Sequence, residues 1–253
     1  MPDQAPALVL AVPGAPTAAN QEIVAEIAAS AGTSCPGAPI AVGYLVGSES
    51  HLSTVLSELH SADGSPAAVV VPLLTGPYPL VDAAIVAAVT AAQAPVLVGG
   101  HLGPHPFLAE ALHTRLSDAG LARAGRVGRI SIVTAADGVI VGAVGSDEAV
   151  QAAGVVAVLL ASRLAIPVMP APLGDHAALR QAVERLQAAQ VTRVALAPCV
   201  IGPEIEPGAL EAITAQTGIE CAPPLGGHPT IGHLAAIRYG AALADPQLAN
   251  VPS

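Results

Sequence analysis

The sequence contains no lysine and no tryptophan, and its 253 residues include one phenylalanine and three tyrosines. So few rings exclude an aromatic platform for stacking single-stranded nucleic acid. No lysine or arginine occurs before Arg115, while the same stretch holds eight acidic residues. The formal charge is −10. Such a chain repels phosphate backbones, so no nucleic-acid partner is expected. Without lysine there is no GxxxxGK[ST] loop, and neither GxGxxG nor GxSxG occurs. Nucleotide cradles and the hydrolase elbow are therefore excluded. Three cysteines, Cys35, Cys199 and Cys221, form no CxxC. That excludes a zinc ribbon and a disulfide framework, and it implies reduced thiols in a cytoplasmic protein. Long hydrophobic runs are also missing. The longest, Ala149–Ser162, is about one-half to two-thirds of a membrane span, and Arg163 closes it, so no membrane segment is expected. The opening MPDQAPALVLAVPG has no base before its apolar run and reads as a first strand, not a signal peptide.

What is present is apolar residue in quantity: 53% of the chain, against 11% charged. This suits one large or two small domains with a core of Ala, Val, Leu and Ile. The chain is also written twice. VVVPLLTGP (Val69–Pro77) is echoed by VALAPCVIGP (Val194–Pro203), and LGPHP (Leu102–Pro106) by LGGHP (Leu225–Pro229). The echoes keep their order and nearly their spacing, which indicates a duplication. Short Val/Ile/Leu runs predict strands at Ala7–Val12, Ile40–Val46, Ala67–Leu73 and Pro95–Val98. The second half offers Arg129–Val133, Ile166–Met169, Arg193–Ala197 and Ile219–Cys221. Helical spacing links Leu52, Val55, Leu56 and Leu59, then Val81, Ile85 and Val89, then Leu179, Val183 and Leu186. Alternating strands and helices predict an α/β fold of two repeat-related, doubly wound parallel-sheet domains. The repeat places them at 1–122 and 123–253, joined near Gly120–Val127. Ligands of such folds sit beyond the carboxyl ends of the strands, which makes Thr75–Asp82 a candidate site wall.

The chemically capable residues each carry two readings. His105 and His228 precede Pro at helix starts, so they either set the turn or face a ligand crevice. His101 and His105, with Gly103 and Pro104 between them, can form a loop chelate for cobalt, nickel, zinc or iron. Glu49, His51 or Asp82 would complete such a site. Tyr78 is held between two prolines and either covers a strand end or contacts a ligand with its phenol. Asp82 is a first-turn helix acid or a metal contact. Cys199 and Glu204 are metal ligands or local packing residues. Asp175 and His176 are most simply a helix cap and its neighbour.

Taken together, LVLAVPG, VVVPLLTG followed by Val81-Asp82, and LGPHPFLAEAL resemble the sirohydrochlorin chelatases of the CbiX/SirB type. The resemblance spans most of the chain. It implies a class II chelatase-like fold and insertion of Fe²⁺ or Co²⁺ into sirohydrochlorin on the way to siroheme or cobalamin. The divalent metal is then a substrate, no organic cofactor is needed, and the partner is a tetrapyrrole; a monomer or homodimer is expected. The family carries a His-Gly-Ser/Thr after strand one, where this chain has Pro13, Gly14 and Ala15. Its second histidine falls at Tyr78, and its Glu near Val46–Glu49. Metal insertion removes two pyrrole protons, work suited to a neutral imidazole. Proline cannot do it, and tyrosine titrates near pH 10. The candidates that remain are Tyr78 and Asp82 for catalysis and His101 and His105 for the metal. Two functions stay open: a chelatase, or a catalytically silent relative that binds a tetrapyrrole or metal or partners an active chelatase. Sirohydrochlorin bears eight carboxylates. Helix N-termini or Arg from the second half are the available counterparts.

Overall fold

Runs of small and branched apolar residues form short strands buried on both faces, as parallel sheets require. The computed structural model describes residues 5–48, 50–60, 65–122 and 135–245. The chain divides into two compact units: Met1–Leu102 with Gly227–Ser253, and Gly103–Gly226.

In unit 1, β1 (Ala7–Val12), β2 (Ile40–Tyr44), β3 (Ala68–Pro72) and β4 (Val96–Val98) form a parallel sheet in the order β2-β1-β3-β4. Strand residues alternate faces. Ala7, Val9 and Ala11 join Ala68 and Val70 under α2 (Leu52–Ser57) and α3 (Pro79–Ala92), in a core with Leu52, Leu56, Ile85 and Ala88. The opposite face carries Leu8, Leu10, Val69 and Val71, all fully buried. Helices α1 (Ala18–Ser34) and α8 (Pro229–Ala244) belong to unit 1 and pack together, with α8 also on β1, β3 and β4. Replacing a Leu so enclosed by Ala typically costs about 2–5 kcal/mol.

Unit 2 repeats the plan. Its strands β5 (Gly138–Ala143), β6 (Val168–Pro172), β7 (Val194–Pro198) and β8 (Glu220–Cys221) run parallel in the order β6-β5-β7-β8. Helices α6 (His176–Ala188) and α7 (Ala209–Thr217) cover the face of Ile140 and Leu196. Helix α5 (Asp147–Leu164) packs on β5 and β6, and α4 (Pro106–Asp118) packs on α5 and β7.

The two doubly wound parallel α/β units match the expected architecture, but their composition differs from the expected division between residues 122 and 123. Each sequence half gives its last helix to the other unit: α4 joins unit 2 and α8 joins unit 1. Both crossings fall inside the repeated LGxHP motif, after Leu102 and after Gly226. The expected strand Arg129–Val133 and most of the expected junction lie outside the described residues. The first strand among the described residues of unit 2 is GVIVGA at Gly138–Ala143. Its glycines obscure the apolar run, and they are there because Val191 crowds Gly138 and Leu173 crowds Gly142. No helix among the described residues is long and apolar enough to cross a membrane.

Candidate functional site

All four strands of unit 1 are parallel, so their carboxyl ends share one edge. The strand order turns back at β1 and β3, and beyond such a point doubly wound sheets bind ligands. After β3 the chain runs through Leu73, Leu74 and Thr75 to Tyr78, the N-cap of α3. Pro79 at the first helical position lacks an N–H that would have no partner there. Tyr78 offers no side-chain cap. Asp82 supplies the missing acceptor: its Oδ2 takes the Tyr78 backbone N–H at 3.0 Å.

The other Asp82 oxygen, Oδ1, lies 2.8 Å from Nε2 of His101. His101 follows β4 through Gly99 and Gly100. A carboxylate only accepts, so Nε2 carries the proton and donates it, and in the neutral ring Nδ1 then holds the lone pair. The two side chains are 25% and 33% exposed, so the pair is reachable from solvent. A histidine oriented by a carboxylate is the arrangement that presents its second nitrogen to a divalent metal or a proton. Asp82, Tyr78 and His101 are thus brought together. Asp82 is both first-turn acid and histidine partner, while the Tyr78 contribution seen here is its backbone N–H.

His105 is placed differently. It is the N-cap of α4, its Nδ1 accepts the Phe107 N–H at 3.1 Å, and its ring centre lies 4.8 Å from that of Phe107. It belongs to unit 2, whereas His101 belongs to unit 1. His228 likewise caps α8 through Nδ1, and His51 caps α2. The helix-start reading of His105 and His228 agrees with these caps, and His51, expected only as a possible companion to the metal candidates, is a cap as well. No group of three or more His, Cys, Asp or Glu side chains placed to hold a metal occurs among the described residues. Glu49 lies outside them.

The equivalent edge of unit 2 is built differently. Cys199 is buried. Both carboxylate oxygens of Glu204 accept backbone N–H groups, from Ile201 at 2.5 Å and Gly202 at 2.8 Å. Burial pushes the Glu204 carboxyl above its ordinary range, and these two donors oppose that shift. Its oxygens are committed to folding the loop rather than to a metal. Asp175 caps α6 by accepting from the N–H groups of Ala177 and Ala178.

Two arginines escaped the sequence reading. Arg115 of α4 donates Nε and Nη2 to the Leu225 carbonyl at 3.1 and 2.6 Å, within unit 2. Arg238 of α8 donates Nη2 to the Leu102 carbonyl at 3.1 Å, within unit 1. Each arginine follows the Pro of its LGxHP motif at the same spacing, which was the available signal.

This geometry defines a class: paired doubly wound α/β units with a carboxylate–imidazole pair beyond one sheet's carboxyl edge. Residues 7–119 match the model of the CbiX family. No curated protein matches the sequence. Two solved structures share the fold across nearly the whole chain. One is the sirohydrochlorin chelatase SirB from Bacillus subtilis subspecies spizizenii in complex with cobalt. It is 13% identical, with 95% of this chain and 96% of that one covered and a TM-score of 0.66. The other is SirB from Bacillus subtilis with Fe³⁺, 16% identical, with 96% and 98% covered and a TM-score of 0.68. At these identities the likeness establishes the fold.

Proposed function

We propose that the chain is a sirohydrochlorin-type chelatase that handles Fe²⁺ or Co²⁺ as substrate through His101 and Asp82. The observation that carries this reading is the 2.8 Å bond between His101 Nε2 and Asp82 Oδ1 at the carboxyl edge of the unit 1 sheet. Chelation needs a group that ligates the incoming cation or takes a pyrrole N–H proton. The His101 Nδ1 lone pair can do either, and Asp82 stabilises the ring in both states. It would stand in for the histidines that the resemblance places at Pro13 and Tyr78. The Tyr78 phenol is the nearest candidate to flank a macrocycle. His105 has the weaker claim, since its Nδ1 is committed to the start of α4.

A second reading, a silent relative that binds metal or tetrapyrrole, is favoured by one observation. A single imidazole–carboxylate pair is a sparse site, and no cluster of three ligating side chains is found among the described residues. Anaerobic absorbance spectroscopy of sirohydrochlorin with Co²⁺ or Fe²⁺ separates the two. Insertion faster than the protein-free rate, lost in His101→Ala, supports the chelatase. A shifted tetrapyrrole spectrum without acceleration supports the silent binder. Neither effect would overturn both.

A further inference from the structure

Residues 1–102 and 227–253 make unit 1, and they contain a single lysine or arginine, Arg238. The exchanged helix α8 therefore brings the only such cation into an otherwise acidic unit. Its position is specific. Nη2 donates to the carbonyl of Leu102, the residue after His101 and the last before the chain leaves unit 1. Leu102 is gripped from the other side too, because its N–H donates to Leu74 O at 2.9 Å. At the start of the same short strap, the Gly99 N–H donates to Val70 O at 2.8 Å. A Cβ on Gly99 would lie 3.4 Å from the main-chain oxygen of Arg238, so the α8 backbone sits directly on the strap. Residues 99–102 are thus held between β3 and α8, and His101 projects from them to Asp82.

This placement is costly. Arg238 Nε is buried and has no hydrogen-bond partner, and Arg238 forms no ion pair among the described residues. Withdrawing part of a guanidinium from water with no carboxylate beside it is unfavourable, and an apolar side chain would fill the space at less cost. What an apolar residue cannot do is hold the Leu102 carbonyl. The repeat supplies a comparison. Arg115 grips the carbonyl of Leu225 in unit 2, there through both Nε and Nη2, and Pro224 precedes the gripped residue instead of a histidine. The grip itself therefore closes a unit. Only in unit 1 does it also fix an imidazole.

We propose that Arg238 is a positioning residue for His101: by fixing the Leu102 carbonyl it holds the strap in the register at which His101 meets Asp82 and presents Nδ1 to a divalent cation. This rests on the reading of the His101–Asp82 pair given above.

The test is titration of the full chain with Co²⁺ alone, followed by ligand-field absorbance and calorimetry. Arg238→Met is expected to weaken Co²⁺ binding about tenfold, the low end of what loss of a residue supporting a metal ligand costs, and Arg238→Lys to restore it to within about twofold. Arg115→Met removes the equivalent grip in unit 2 and is expected to lower thermal stability while leaving Co²⁺ affinity and its absorbance band unchanged. Wild-type affinity in a folded Arg238→Met protein would overturn the proposal. So would equal weakening in the two Met variants, which marks general loosening. Should circular dichroism show that Arg238→Met is unfolded, Arg238→Gln takes its place under the same criteria. His101→Ala separates the two layers of argument. If it abolishes binding while the Arg238 variants do not weaken it, only the role of Arg238 falls. If it leaves binding intact, or if the wild type takes up no Co²⁺, the His101–Asp82 reading falls and this proposal with it.

Discussion

Gly232 of α8 approaches the main chain of Ile27 in α1 so closely that a Cβ added there would stand 2.6 Å from the Ile27 carbonyl oxygen. It would also lie 2.7 Å from the Ala31 nitrogen. Backbone cannot yield as a side-chain tip can. In an exposed helix, Gly→Ala stabilises by about 1 kcal/mol. Here the sign reverses, because α8 must move off α1, and overpacking costs about 1–3 kcal/mol. We expect Gly232→Ala to lower the urea midpoint of unfolding. A raised midpoint would show that the helices are not in this contact.

Asp82 and Tyr78 are expected to separate cleanly on mutation. Asp82→Asn removes the charge that orients His101 and should weaken Co²⁺ binding by about 10- to 100-fold. Tyr78→Phe keeps the backbone N–H that Asp82 accepts, so its Co²⁺ affinity should equal that of the wild type. Calorimetric titration of both variants checks the pair. A loss of affinity in Tyr78→Phe would assign the phenol to the metal.

Acid should weaken unit 2 through Asp137. Its carboxylate accepts the Thr192 N–H and hydroxyl and the Arg193 N–H, joining the start of β5 to that of β7. These donors, the Thr192 backbone first, pull its pKa from 3.8 to about 2. A depressed carboxylate contributes stability above its unfolded pKa and loses it as pH falls through the folded one. The Tm gap between wild type and Asp137→Asn should therefore be widest at neutral pH and narrow from about pH 4 towards pH 2. A gap that does not change with pH would assign the effect to packing.

The Cys221 thiol is expected to be sluggish. Burial, helped by the Glu211 charge, pushes it from 9.0 to about 11. Two units leave roughly a hundredfold less thiolate at neutral pH, and thiolate is the reactive form. Iodoacetamide labelling followed by mass spectrometry should modify Cys221 far more slowly than free cysteine. Comparable rates would mean that the thiol is open to water.

Much of the fold was legible because parallel strands buried on both faces announce themselves as unbroken apolar runs. The reading of β1 met its observed ends at Ala7 and Val12. It failed at β5, where Gly138 and Gly142 make room for Val191 and Leu173 and dilute the pattern. It could not see the helix exchange either, since nothing in an amphipathic stripe states which sheet will receive it. For the site, the sequence supplied the residues and left the partner of His101 open. Spacing alone links His101 to its near neighbour His105 and leaves Glu49, His51 and Asp82 as equal candidates to join it, because Asp82 lies across β4, at a distance along the chain that no local spacing encodes. The arginine grips were readable in principle, as both LGxHP motifs are followed by an arginine at one spacing.

The exchange of α4 and α8 has a consequence for the order in which the protein is made. Unit 2 is one continuous stretch, Gly103–Gly226, and all of it has been synthesised before α8 exists. Unit 1 begins the chain but cannot be completed until the ribosome has passed Ala244. At about 5–20 residues per second, that leaves the apolar face of α1 and the underside of β1 and β3 uncovered for roughly 7–30 s. Unit 1 starts first and finishes last, and through that interval its uncovered apolar surface is open to aggregation and to chaperones.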